Sequence, residues 1–184
     1  MIKSRPIYQP FRIDPAGRAH LIVTDLAALP EDLGELEYSN IERWVVHVVA
    51  PGIQAPAGEA RAFRAPADLL ATLSVRLTRE AIGLRLYAVG TEPFLWDVHN
   101  AARSAGLGKG EILLTHAGSL KRRVYCTHCK TMNEDVTKNI VKCRACGANL
   151  FVRDHFSRRL AAFMGVAVDA EVPGEIPEPE VLYP

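Results

Sequence analysis

VYCTHCKTMNEDVTKNIVKCRACGANLFV, residues Val124 to Val152, contains every cysteine of the 184-residue chain: Cys126, Cys129, Cys143 and Cys146. They form two C-x-x-C pairs, with thirteen residues between Cys129 and Cys143. Two residues between paired cysteines let both sulfurs of a tight turn point at one atom, while the amides of the turn face the thiolates. Two such turns supply four sulfurs in roughly tetrahedral directions, a set that suits Zn²⁺. The intervening loop is slightly shorter than the usual spacing of about 15–20 residues. Gly147 follows Cys146 where a knuckle needs the backbone to turn with positive φ, and Lys130 sits at the matching place after Cys129, which predicts a less regular first turn. Four unliganded thiols would leave a polar stretch with too little apolar content to fold. The stretch therefore reads as a zinc ribbon, with Cys126, Cys129, Cys143 and Cys146 as metal ligands.

Composition bounds the rest of the chain. An apolar share of 48% and a charged share of 23% place it with soluble globular proteins, and the length allows one compact domain plus a small appendage. The net charge of +1 points to no partner by bulk attraction. No apolar run reaches the roughly 18 residues of a membrane span, and the N-terminus lacks the apolar core of a signal peptide. Four cysteines in one metal-type array fit a reducing compartment better than a disulfide scaffold. The reading is a cytoplasmic protein without a membrane partner.

Upstream of the ribbon the sequence predicts an α/β domain over residues 1–120. Pro6, Pro10 and Pro15 forbid a regular helix at the start, so an extended lead-in is expected. AHLIVT (Ala19–Thr24) reads as a buried strand, and WVVHVVA (Trp44–Ala50) as another, stopped by Pro51-Gly52. Glu59 to Phe63 is a candidate for a further short strand. Pro66 opens a helix with Leu69, Leu70, Leu73 and Leu77 on one stripe, ending near Gly83. LRLYAV (Leu84–Val89) is the next strand. Thr91 caps a second helix whose inner face is Phe94, Leu95, Val98, Ala101, Ala102 and Ala105, closed by Gly106. Glu111 to Thr115 returns as a strand. This alternation signals right-handed βαβ crossovers and a small three-layer fold around a mainly parallel sheet.

Downstream, Lys121 to Val124 is too short a connection to let the ribbon swing freely. The ribbon with a last helix, capped by Asp154 and presenting Phe156, Leu160, Phe163 and Met164 on one face, spans residues 121–167. Residues 168–184, acidic and punctuated by proline, read as a tail without a core of its own.

The stretch LRLYAVGTEPFLWDVHNAARSAGLGKGEI (Leu84–Ile112) resembles the last βαβ unit of the nucleotide-binding half of ferredoxin reductases. Of that family's cysteine-glycine-proline turn only Gly90 is present. HLIVTDLAALPEDLGE (His20–Glu35), which follows the first strand, carries no glycine-rich phosphate loop, and no G-x-G-x-x-G occurs in the domain. The economical reading is a reductase-like scaffold that has lost nucleotide binding, with no cofactor-binding residue of its own.

The remaining chemistry-bearing residues do not assemble into a catalytic set. His128 lies between two ligand cysteines and could stand in for one of them, but four thiols make that unnecessary. His47 reads as a sheet residue. His155 divides between docking and simple exposure. No Ser-His-Asp or Cys-His arrangement and no carboxylate cluster can be assembled from the spacing. From Lys121 to Arg159 ten Lys or Arg stand against three acids, +7 by difference, whereas the tail from Asp169 has five acids and no base. A nucleic-acid-binding ribbon would use that basic stretch on phosphates. Sparse base-stacking aromatics argue against it, and the negative charge of a zinc tetrathiolate accounts for nearby Lys130, Lys142 and Arg144.

From Val124 to Pro184, about a third of the chain, the sequence resembles the small DmmA-like subunit family of bacterial dimethylamine monooxygenase. The two cysteine pairs, LFVRDHFSRRLAAFMGV (Leu150–Val166) and DAEVPGE (Asp169–Glu175) carry the likeness. SRPIY (Ser4–Tyr8) and the α/β portion are compatible with it. The resemblance implies a part in a multi-subunit oxygenase that oxidises dimethylamine with NADPH and O₂ to methylamine and formaldehyde. Flavin, iron–sulfur cluster and an oxygen-activating metal would then sit on partner subunits, since this chain has motifs for none of them. The chain itself would be a non-catalytic docking subunit with a structural zinc site. The alternative is an electron carrier with a mononuclear iron, as in rubredoxin. Rubredoxins carry a cysteine-glycine step at both knuckles and many packed aromatics, and here that step occurs only at Cys146-Gly147, which favours zinc.

Overall fold

The computed structural model describes residues 4–26, 41–46, 60–80 and 82–184. These divide into two compact units, one of Tyr8–Gly118 and the other of Ser119–Pro184 with the N-terminal Met1–Ile7.

The first unit is built on strands β1 (Ala19–Thr24), β2 (Ile41–Val46), β3 (Ala60–Phe63), β4 (Leu84–Gly90) and β5 (Ile112–His116), with helices α1 (Pro66–Leu77) and α2 (Glu92–Ser104). Every pairing is parallel and the order is β3-β2-β1-β4-β5. Parallel strands are covered on both faces, which is why β1 and β4 read as unbroken apolar runs. Leu21, Val23, Trp44, Leu86 and Ala88 point to the face where Leu69, Leu73 and Leu77 of α1 meet Phe94, Leu95, Val98 and Ala102 of α2. The alternate residues Ile22, Tyr87 and Val89 point to the other face, against Phe11 and Ile13 of the extended lead-in. Among the described residues both helices therefore lie on one face of the sheet. Residues 27–40 and 47–59 lie outside the described residues, and with them His47 and the second half of the predicted WVVHVVA strand.

Pro66 stands in the first turn of α1, as the sequence predicts, but the helix stops at Leu77 rather than near Gly83. The Thr78 hydroxyl donates to the Val75 carbonyl there, and Gly83 (φ +108) instead makes the turn into β4. Below the sheet, the Arg85 guanidinium holds Asp14 of the lead-in, and the Asp14 amide donates to the Tyr87 hydroxyl at 3.0 Å.

The second unit corrects the sequence reading most sharply. Its strands are β6 (Arg122–Cys126), β7 (Met132–Val136), β8 (Ile140–Lys142), β9 (Asn149–Ser157) and β10 (Ala162–Ala167), in the order β7-β6-β10-β9-β8. There is no C-terminal helix over 154–165: β9 and β10 form an antiparallel hairpin with Phe156 opposite Phe163. The spacing of Phe156, Leu160, Phe163 and Met164 imitates a helical stripe, but Leu150, Val152 and Phe156 also fall on one side of a period of two, and all three are buried. Ala161 (φ +50) makes the turn, and the two phenyl rings meet edge to face at 4.9 Å. Asp154 caps nothing. It pairs with Arg122, whose guanidinium lies 3.8 Å from the ring centroids of both Phe163 and Tyr183.

Tyr183 belongs to the stretch read as a coreless tail. The far end of that tail is part of the unit, with Val181 bridged to Lys138, Tyr183 buried, and the Leu120 amide donating to the Pro184 carbonyl at 2.7 Å.

A Cβ at Gly165 would lie 2.7 Å from Val124 Cγ1 and 3.1 Å from Leu150 Cδ1, both on fully buried side chains. Gly165→Ala should cost about 1–3 kcal/mol by overpacking. Thermal melting of the wild type and the variant checks this, and an unchanged melting temperature contradicts the close packing.

Candidate metal centre

Each cysteine pair sits on the same local turn. Cys126 ends β6, and its carbonyl accepts from the Lys130 amide at 2.9 Å while its amide donates to Thr131 O at 2.9 Å. Cys143 follows β8 and repeats the pattern with the Gly147 amide at 3.0 Å and Ala148 O at 2.8 Å. Lys130 (φ +70) and Gly147 (φ +74) occupy the same left-handed conformation. The first turn is therefore as regular as the second, contrary to the expectation from its lysine. Lys130 bears the left-handed backbone, a conformation costing roughly 1 kcal/mol for a residue with a Cβ, while its ammonium donates to Thr127 O at 2.6 Å and lies 5.9 Å from the Tyr125 ring centroid.

The two turns bring the four sulfurs within 4.8 Å of one another. Cys126 and Cys146 are 3.8 Å apart, and Cys129 and Cys143 are 3.6 Å apart. A disulfide needs about 2.05 Å. A tetrahedral zinc with Zn–S of about 2.3 Å needs sulfurs about 3.8 Å apart. The spacing fits a metal and not a bridge. Cys126 and Cys143 are buried beside Leu150, Cys129 is half-buried and Cys146 is exposed.

Protonation tells the same story. The Thr131 hydroxyl and amide draw the Cys129 thiol down to about 6. Burial opposes ionisation of Cys143, but the amides of Cys146 and Ala145 outweigh it and lower that thiol too. At Cys146 the Ala148 amide helps, yet partial desolvation and the three neighbouring sulfurs together push the thiol up to about 11. Like charges this close do not ionise together unaided. A cation bound to all four removes the conflict. The residues present therefore fit a tetrathiolate metal site, and four protein ligands leave no coordination position open for a substrate.

Asn133 on β7, unremarked in the sequence, ties the two turns together. Its Nδ2 donates to Val124 O (3.2 Å) and lies 3.8 Å from Cys143 Sγ, and its Oδ1 accepts from the Arg144 amide at 2.9 Å.

Comparison with known proteins now bears on the whole chain. Residues 123–166 match the family described as dimethylamine monooxygenase subunit DmmA-like, C-terminal domain, and residues 51–112 match the N-terminal domain of the same description. The chain is 35% identical over 176 residues to the heme-dependent oxidative N-demethylase delta subunit of Ectopseudomonas mendocina (strain ymp), covering 92% of this chain and 91% of that protein. The chain belongs to the DmmA-like family. No solved structure matches it.

The other residues singled out in this DmmA-like sequence do not join the sulfurs. His128 and His155 are both exposed. Among the basic residues of the stretch, Arg122 pairs with Asp154 and Arg123 with Glu134 inside the unit.

In the α/β unit the strand order reverses between β1 and β4, the place where open parallel sheets take ligands beyond their carboxyl ends. There Asp25, just after β1, accepts from the Thr91 amide at 3.1 Å and from the Thr91 hydroxyl, so a carboxylate of the chain itself stands at the N-terminus of α2. Gly90 (φ +151) makes room for it, since a Cβ there would fall 1.9 Å from Asp25 Oδ1. A phosphate arriving at this helix end would meet that carboxylate.

Two predictions follow from these sites. Cys143→Ser should abolish stoichiometric zinc and melt the second unit, because metal-binding energy is folding energy in such small modules; zinc analysis with thermal melting checks it, and an intact melt without metal contradicts it. For Asp25, burial raises its pKa, with Thr91 pulling the other way. A carboxyl whose folded pKa is raised stabilises fully below its unfolded value of about 4 and loses that contribution as pH rises through the folded value. Wild type should therefore lose stability relative to Asp25→Asn as pH rises from about 4. Fluorescence melting reads this unit alone, because both tryptophans, Trp44 and Trp96, lie within it, and a difference independent of pH contradicts the assignment.

Proposed function

We propose that this chain is a non-catalytic subunit of a multi-subunit N-demethylating monooxygenase, and that its four cysteines hold a structural Zn²⁺. The observation that carries this is the closed set of four converging sulfurs in a chain of the DmmA-like family. A cation held by four protein sulfurs has no position for O₂ or an amine, so it fixes backbone rather than reacts.

The relative's name, heme-dependent oxidative N-demethylase delta subunit, supports a division of labour. Oxygen activation would belong to heme on another subunit, and flavin and an iron–sulfur cluster would pass electrons from NADPH. The overall reaction would convert dimethylamine, O₂, NADPH and a proton to methylamine, formaldehyde, NADP⁺ and water. This subunit would contribute shape, with the β6–β10 sheet made rigid by its metal and the α/β unit closed at its switch point by Asp25.

Copurification from the native host tests the assignment. The tagged chain should bring down the other oxygenase subunits and, once isolated, be colourless with one zinc per chain. Full dimethylamine turnover by a preparation lacking the chain would contradict the subunit role. An isolated chain that is red and bleaches with dithionite would replace zinc by a rubredoxin-like iron and make it an electron carrier.

A further inference from the structure

Of the polar side chains in the second unit, Asn133 is among the most deeply buried, at 4% exposed. It stands opposite Val124 in the β6–β7 ladder, yet its side chain serves the metal turns rather than the sheet. Nδ2 faces three acceptors: Val124 O at 3.2 Å, Thr131 O at 3.4 Å and Cys143 Sγ at 3.8 Å. Oδ1 faces the Arg144 amide at 2.9 Å. Carbonyls on one side and an amide on the other fix which way the group points. Val124 and Thr131 flank the first cysteine pair, and Arg144 lies inside the second.

We propose that Asn133 is a positioning residue of the metal centre: it rivets the first cysteine turn to the second and aims an N–H at the Cys143 sulfur, and so sets how tightly the four thiolates hold their cation. This deepens the metal reading above and rests on it. Four thiolates on a divalent ion carry a formal charge of −2, and an N–H directed at one sulfur withdraws part of it. Groups that hydrogen-bond to metal ligands typically account for 10–100-fold in affinity. Aspartate keeps the size and the acceptor for Arg144 but loses every donor, whereas alanine loses both.

The test uses the full chain with Asn133→Asp and Asn133→Ala, folding being followed by circular dichroism. Zinc affinity is measured by competition with a chromophoric chelator, and the sulfur-to-metal charge-transfer band by replacing zinc with Co²⁺. Both variants should bind zinc 10–100-fold more weakly, and the cobalt band should move to lower energy as the Cys143 sulfur loses its N–H. A lower melting temperature with affinity and band unchanged would make Asn133 a fold residue only and overturn the proposal, as would failure of both variants to fold with cobalt present. If wild type itself gives no tetrahedral cobalt spectrum, the metal reading fails, and the role of Asn133 falls with it.

Discussion

Four sulfurs that repel one another once ionised, and that attract strongly only when a cation sits between them, govern the second unit. Its described apolar cluster around the sulfurs is small, little more than Cys126, Cys143 and Leu150 with Cys129, Val141 and Ala148 at the edge. Units of this size are only marginally stable on burial alone, so a staple contributes much. A metal on the four cysteines, as proposed, would supply one by joining the end of β6 to the end of β8, the strands that precede each cysteine turn. The aromatic pair Phe156–Phe163 and the Arg122 stack complete the unit away from the sulfurs.

The first unit is held by a different force. Its parallel sheet is buried on both faces, with helices α1 and α2 over one and the lead-in over the other, and several of its described polar groups are paired within the unit. His20 Nδ1 lies 3.0 Å from the Tyr87 hydroxyl, and the Trp96 indole N–H donates to Tyr8 at 2.9 Å. At the ligand end of the sheet the helix terminus already has its counter-charge in Asp25. Asp25 therefore adds internal order at the place where the strand order reverses.

The parts legible in the sequence are those fixed by local rules. β1 and β4 follow from apolar runs, α1 from Pro66, α2 from its apolar face, and the convergence of the four sulfurs from cysteine spacing; Thr91 stands at the N-terminus of α2, but its hydroxyl goes to Asp25 and not to the helix. The C-terminal hairpin was hidden because FSRRLAAFM satisfies helical spacing and contains good helix formers, so only the partner strand β6 decides the matter. Lys130 concealed the symmetry of the two knuckles, because nothing in a lysine announces a left-handed backbone. Asn133 and Asp25 were illegible for a further reason. Asn133 reaches Arg144 eleven residues away and Asp25 reaches Thr91 sixty-six residues away, and short-range patterns carry no signal for such pairs.

The central claim of the proposal is that the second unit needs a metal on its four cysteines in addition to its apolar core, while the first stands without one. Amide hydrogen exchange on the full chain, with and without a strong chelator, tests this most directly. Chelation should strip protection from β6–β10 and leave that of β1, β4, α1 and α2 unchanged. Protection in β6–β10 that survives removal of the metal would contradict the account.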